Sequence, residues 1–363
     1  MKIRKEIEEL KPYIPGKPVG EVKRELGIKT VIKLASNESP YPPFEQAIDV
    51  MKKQSVGVNR YPDSSGFYLK NEISKLYKVE TENIVLGNGS NELMRVLSMV
   101  LLEKGDEVIA GNPSFIVYPI ITKMMGAEFI GVPLQDYRLD LRSMKEKINE
   151  DTKIIFICNP NNPTGTIVTK EEVDEFLEDI PEDVAVVFDE AYFEYVDDKN
   201  YPDGLSYFNE DSNIIILRSF SKIYSLAGLR IGYGIMSKKL VEAVNKAREP
   251  FNVNSMAQAA AIASIKSQNE VKKRREMNLQ NKRFVEKKLD EIGLSYVPTY
   301  TNFMLINVGK PCREVFKSLL QEGIIVRTGD VFGQEYQNYI RASIGTRNEN
   351  IKFLNALEKI TKG

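Results

Sequence analysis

The sequence predicts an α/β protein, with a mostly parallel sheet flanked by helices in a large domain and a smaller α+β domain after it. Three observations carry that expectation. From about residue 66 onward, helical patterns alternate with short apolar strands, the order expected when crossover helices join parallel strands. Segments such as 153–158 and 213–217 are apolar almost throughout, as strands buried on both faces are. Near residue 250 the pattern shifts to small residues, and a long charged helix follows.

Taken in order, residues 1–36 read as a short helix, an arm punctuated by Pro12, Pro15, Gly16, Pro18 and Gly20, and a strand at 31–36. This arm is expected to join the small domain. Residues 66–78 carry a helical pattern, 83–87 a strand and 90–105 a helix. Strands are expected at 106–111, 128–133, 153–158, 184–191, 213–220 and 230–236, mostly separated by helical or turn segments. The large domain is therefore set at 37–250 and the small C-terminal domain at 251–363. Within the latter, 268–291 reads as a long charged helix, followed by strand 294–309, helix 312–323, strands 324–329 and 338–346, and a last helix.

Among 363 residues there is no histidine, and the only cysteines are Cys158 and Cys312. That excludes Ser-His-Asp and Cys-His nucleophiles, imidazole metal ligands and thiolate zinc cages, so no metal site is expected. Catalysis has to run on lysine, carboxylate, tyrosine or a cofactor. Fifty Lys plus Arg against 51 Asp plus Glu give a net charge of −1, with no electrostatic footprint for nucleic acid or an anionic membrane. The charged N-terminus has no apolar signal core, and no apolar run approaches the roughly 20 residues of a membrane span. A soluble cytoplasmic protein is expected. The basic cluster 272–275 lies in a helix diluted by Glu270, Glu276, Glu286 and Asp290, and it reads as a solvated face with a packing stripe at Val285, Leu289 and Ile292.

Four segments carry chemistry. Ser219-Phe220-Ser221-Lys222 ends a buried strand, where α/β folds place functional groups. It can be taken as a Ser-x-x-Lys nucleophile, but no Ser-Asp-Asn follows and the parallel-sheet pattern is wrong for that class. It can also hold a Schiff-base lysine, Lys222, with Arg230 eight residues on as a phosphate ligand, or simply a surface lysine. Asp189 closes the strand before Tyr192, either to meet a pyridinium nitrogen or to cap a loop. Asn162, in a rigid Asn/Pro/Gly turn at 159–165, has an amide suited to a ring hydroxyl, although such turns usually just redirect the chain. Gly87-Asn88-Gly89-Ser90-Asn91-Glu92 precedes a helix and offers a phosphate cradle, a dinucleotide loop or a plain helix cap. Glu92 stands where the third glycine of a dinucleotide fingerprint belongs, and Asn112 where an acid is expected after the next strand, which weakens the dehydrogenase alternative.

In their order, these motifs resemble the fold type I, aspartate aminotransferase-like enzymes that use pyridoxal 5′-phosphate (PLP). The arm at 12–27, the segment 31–40, Arg60-Tyr61-Pro62-Asp63 and the C-terminal segments 323–329 and 339–346 look like those of histidinol-phosphate aminotransferases. The resemblance implies that Lys222 carries PLP, that Asp189 meets the pyridine nitrogen, and that Asn162 and Tyr192 hold the ring hydroxyl. Gly89, Ser90, Asn91, Ser219, Ser221 and Arg230 are implied at the phosphate, and Phe115 against the ring, a place where tyrosine is frequent. A homodimer is implied, with Tyr61 entering the partner's site.

Tyr13, Asn37, Arg327 and Arg341 are implied near the substrate, where the arginine fork suits both carboxylate and phosphate. The implied reaction moves an amino group between L-glutamate and L-histidinol phosphate, in histidine biosynthesis. The segment Asn37-Glu38-Ser39-Pro40 departs from the frequent Asn-Glu-Asn-Pro, which leaves open an aromatic or broad-specificity aminotransferase. A threonine-phosphate decarboxylase and a PLP-binding regulator are the more distant alternatives. An enzyme of histidine synthesis that contains no histidine could be translated in a histidine-starved cell, which would give the composition a cause.

Overall fold

The computed structural model describes residues 1–10 and 16–362. In chain order its strands are β1 (Ile32–Lys33), β2 (Ile84–Gly87), β3 (Glu107–Asn112), β4 (Glu128–Pro133), β5 (Thr152–Cys158), β6 (Ala185–Asp189), β7 (Ile214–Ser219) and β8 (Gly232–Ile235). Then come β9 (Tyr296–Val297), β10 (Phe303–Asn307), β11 (Ile324–Ile325), β12 (Arg327–Thr328) and β13 (Tyr339–Ser343). No described helix is long and apolar enough to cross a membrane.

Seven strands form the central sheet in the order β2-β8-β7-β6-β5-β3-β4. All neighbours run parallel except β8, which is antiparallel to both β2 and β7. The chain returns from β7 to β8 through loop 220–231 without a crossover helix, and an antiparallel return needs only such a short connection. Side-chain alternation divides the strands between two cores. Ile155, Ile157, Val186, Phe188, Ile214 and Ile216 enter one, while Ile154, Phe156, Val187, Ile215 and Leu217 enter the other. Two apolar faces per strand explain the unbroken apolar runs, and each side chain so buried contributes roughly 1.5–3 kcal/mol.

A second, antiparallel sheet has the order β12-β13-β10-β9. Its core includes Val285 and Leu289 of the long helix Gln268–Ile292, together with Leu319, Phe353 and Leu357. The arm packs on this unit: β1 pairs in parallel with β11, and Val22 and Ala35 cluster with Ile325. The short helix Lys5–Glu8 instead meets the large unit, where Arg4 donates to the Met124 carbonyl at 3.0 Å.

Three expectations are corrected. Segment 294–309 is not one strand, because the chain turns back between β9 and β10, which pair antiparallel with each other. Segment 324–329 is not one strand: Val326 turns into the core between β11 and β12, and these belong to different sheets. A boundary at 250 would cut through a packed core. Val253, Ala257, Ala260, Ala261, Ile265 and Val271 share the cluster of Ile73 and Ile84, and helix Ser255–Lys266 packs on helices Glu45–Gln54 and Phe67–Tyr77. Alanines at the contact let those helices approach closely. Two cations of the basic cluster serve internal contacts: Arg274 donates to the Pro42 carbonyl at 2.9 Å, and Arg275 to that of Glu194 at 2.7 Å.

Candidate active site

Strands β2, β3, β5, β6 and β7 all end at one edge of the sheet, and chain order reverses between β3 and β5, where open α/β sheets form their binding crevice. A cavity of about 460 Å³ opens there, with β12 and β13 of the small sheet on its other side.

At one end, helix Ser90–Leu101 starts directly after β2, so its first backbone N–H groups have no partners within the helix. Gly89 holds φ +77°, and a Cβ there would lie 2.5 Å from Arg230 Nη2. At Gly232 a Cβ would lie 2.6 Å from the Ser90 nitrogen, so glycine lets β8 pass close to the helix start. Ser90, Ser219 and Ser221 are buried. The Ser221 N–H donates to Ser219 Oγ at 3.0 Å, and Arg230 donates to Ser221 Oγ at 3.5 Å. Asn91, in the same first turn, is exposed. Three strand ends thus gather hydroxyls, backbone donors and one guanidinium in one place, a donor set suited to an anion.

In the middle stands Asp189, 3 % exposed at the end of β6. Tyr118 donates its hydroxyl to Asp189 Oδ2 at 2.7 Å, while the buried Oδ1 has no hydrogen-bond partner. Burial pushes the carboxyl up to about 6, partly offset by the Tyr118 hydrogen bond. Phe115 lines the cavity and meets Tyr118 edge-on at 5.7 Å.

Lys222 lines the same cavity, with Nζ 5.2 Å from the centre of the Tyr192 ring. Burial lowers its pKa to about 8, and the Arg341 and Arg230 charges act in the same direction against Glu38 and Asp189. Its loop is closed by its own backbone: Phe220 N–H donates to the Ile231 carbonyl, Leu226 N–H to that of Phe220, and Ser225 N–H to that of Lys222, at 3.0–3.1 Å. Phe220, Ile223 and Tyr224 are buried beneath it.

Across the cavity, the Tyr192 hydroxyl accepts from Asn37 Nδ2 at 2.9 Å. Asn37 is buried and its N–H donates to Ser343 Oγ at 2.9 Å, tying the arm to β13. Arg327 and Arg341 are partners across the β12–β13 pair, and both line the cavity. Arg341 donates to Asn162 Oδ1 and, at 3.2 Å, to the Ala35 carbonyl. In the turn, Asn161 is the structural amide, bonded to Ser114, Pro113 and Thr164, which leaves Asn162 on the cavity wall.

The structure therefore gathers Asn37, Ser90, Asn91, Phe115, Asn162, Asp189, Tyr192, Ser219, Ser221, Lys222, Arg230, Arg327 and Arg341 around one cavity, with Gly89 at its rim. Tyr61 is not among its lining residues; it is 83 % exposed and stacks on Phe251 at 4.7 Å. Tyr13 lies outside the described residues. Sequence reasoning missed Tyr118, whose only signal is its place one helical turn after Phe115, and Phe332, which lines the cavity under the Arg341 guanidinium.

Known proteins resemble the chain over nearly its whole length. Residues 29–357 match the family "Aminotransferase class I and II". The chain is 45 % identical over 360 residues to a histidinol-phosphate aminotransferase of Moorella thermoacetica, covering 99 % of this chain and 93 % of the relative. It is 46 % identical to histidinol-phosphate aminotransferase 2 of Carboxydothermus hydrogenoformans, with 99 % of each chain covered. Among solved structures, the histidinol-phosphate aminotransferase of Sinorhizobium meliloti in complex with pyridoxal-5′-phosphate superposes with a TM-score of 0.92 at 25 % identity, covering 99 % of this chain and 98 % of that one. The aspartate aminotransferase of Thermotoga maritima shares the fold, at a TM-score of 0.85 and 22 % identity over 99 % of this chain and all of that one. The chain belongs to the class I and II aminotransferases and, among them, to the family of histidinol-phosphate aminotransferases.

Proposed function

We propose that the chain binds PLP in this cavity and transfers an amino group between L-glutamate/2-oxoglutarate and L-histidinol phosphate/3-(imidazol-4-yl)-2-oxopropyl phosphate, in cytoplasmic histidine biosynthesis. The residues fit the cofactor. Asp189 Oδ1 is a buried acceptor lacking a donor, which a pyridinium N–H would supply, and the donor set at Ser90, Ser219, Ser221 and Arg230 suits a phosphate. Bound there, PLP would supply an electron sink that acidifies the substrate Cα–H.

The remaining work falls to side chains. Neutral Lys222, favoured by its lowered pKa, would take the proton from the Cα of the amino donor and, in the opposite half-reaction, deliver one to the Cα of the acceptor. Asp189, held by Tyr118, keeps a ring nitrogen protonated. Asn162 and Tyr192 would hold the ring hydroxyl, and Phe115 would lie against the ring. Arg341, pre-oriented by Asn162 and the Ala35 carbonyl, receives the carboxylate of glutamate; with Arg327 it receives the phosphate of histidinol phosphate.

Facing arginines on β12 and β13 opposite Lys222 are the observation that carries the substrate class, since they suit donors with an oxyanion beyond the amino group. The full-length identity to histidinol-phosphate aminotransferases selects among such donors. Comparing kcat/KM for histidinol phosphate, phenylalanine and tyrosine with 2-oxoglutarate as acceptor tests it. Histidinol phosphate is expected to lead by about tenfold or more; a lead for the aromatic amino acids overturns the assignment.

The protein acts as a homodimer in this proposal. Val56, Tyr61, Phe67 and Tyr68 are each at least 60 % exposed on the described chain, large apolar side chains that a second copy would cover. A fully active monomer by light scattering would contradict it.

A further inference from the structure

On the face of the sheet opposite Asp189 lies a second charged cluster that none of these roles uses. Successive side chains along a strand point to opposite faces. Glu190 therefore turns away from Asp189, and Arg218 away from Ser219. Both are fully buried. Arg218 Nε donates to Glu190 Oε2 at 2.8 Å, and Nη2 lies 2.7 Å from the same oxygen. Nη2 also donates to Asp203 Oδ1 at 2.6 Å, and Glu190 Oε1 accepts from the Gly204 N–H at 2.7 Å. The guanidinium lies 3.6 Å from the centre of the Phe193 ring and 4.7 Å from that of Tyr77. The Glu190 N–H donates to the Leu217 carbonyl at 2.9 Å, closing the β6–β7 ladder one step past Asp189.

A buried charge is tolerated only when paired and hydrogen-bonded, and an apolar pair of similar volume often supports a fold equally well. Stability alone therefore does not account for charges at this place. The place itself is informative. Glu190 follows Asp189, Arg218 precedes the segment Ser219–Lys222, and Phe193 under the guanidinium follows Tyr192. One rigid fork touches every segment that reaches the cavity from β6 and β7.

We propose that Glu190 and Arg218 are positioning residues: their buried ion pair locks the ends of β6 and β7 together and so fixes Asp189, Tyr192 and the Lys222 loop relative to one another. The inference rests on the cavity being the PLP site proposed above.

The test is titration of PLP into full-length apoprotein, followed by absorbance, then kcat and KM with glutamate as donor. Glu190→Gln keeps the side-chain size and removes the charge, while Arg218→Lys keeps the charge and removes the fork. Each is expected to weaken PLP binding about tenfold and lower kcat by about tenfold or more, because small misplacements near the reacting atoms are costly. The KM for glutamate should change less than about threefold, since the arginines of β12 and β13 are untouched. Wild-type affinity, spectrum and kcat with only a lowered melting temperature would overturn the proposal and leave the pair a stabiliser. If neither variant folds, Asp203→Asn on the half-exposed partner decides, with about threefold weaker PLP binding expected and wild-type binding overturning. If the wild type binds no PLP, the cavity assignment fails separately. Amide exchange in apoprotein then decides this inference: faster exchange at Ala191, Tyr192, Ser221 and Lys222 in Glu190→Gln supports it, and unchanged exchange overturns it.

Discussion

Along the sheet edge, Asn162, Asp189 and Lys222 each stand within four residues of the strand that carries them. Across the cavity, Asn37, Arg327 and Arg341 come from opposite ends of the chain and are held by the β12–β13 pairing and by bonds such as Asn37 to Tyr192, Asn37 to Ser343 and Arg341 to Asn162. One side is placed by local backbone geometry, the other by the packing of arm and small sheet against the large unit. Changes on the first side should therefore damage the chemistry, and changes on the second should alter which molecules are accepted and how tightly.

The largest effect is expected for Lys222→Ala, which removes the proton-moving amine: kcat should fall by about 10³-fold or more, with the fold intact by circular dichroism. Substantial turnover in that variant would remove Lys222 from the mechanism and blur the contrast between the two sides. Arg341→Lys keeps the charge and loses the fork, so KM for glutamate and histidinol phosphate should rise about 10- to 100-fold while the absorbance of bound PLP stays put. A matching loss of PLP affinity would show that the two sides are not separable. Tyr61→Phe should weaken PLP binding by only a fewfold, read by titration at protein concentrations above and below dimer dissociation.

The smallest effect is on stability against pH in PLP-free protein. The Asp189 carboxyl is raised from 3.8 to about 6, so between those values the folded chain holds a proton that the unfolded chain has lost. Stability from this group is present below about 4 and lost as pH rises through about 6. Glu194, raised by burial to about 7, extends the decline. Asp189→Asn should flatten the first part of the curve in melting experiments, and an unchanged slope would show that Asp189 does not carry it.

The same contrast explains what could be read in the sequence. Asn162, Asp189 and the Ser219–Lys222 segment were legible because each couples an apolar strand to a short polar turn, and one segment contains the whole signal. Tyr118 was not, because its role comes from stacking on Phe156 at 4.3 Å and reaching Asp189, neither of which is near it in sequence. The reversed direction of β8 and the split at Val326 were illegible too, since an apolar run does not state which neighbour it pairs with. The alanine-rich helix Ser255–Lys266 marked a change of composition, but that change reflects close helix packing and not a domain boundary.

The loop bearing Lys222 leaves β7 and returns as β8, with its two ends bonded to each other and its apolar side chains anchored below. Its base is thus as fixed as the sheet. In the reaction proposed above, the amine would change position by rotating its four side-chain bonds, without a loop opening. On the proposed reaction, stiffening the lysine loop further would leave the rate unchanged.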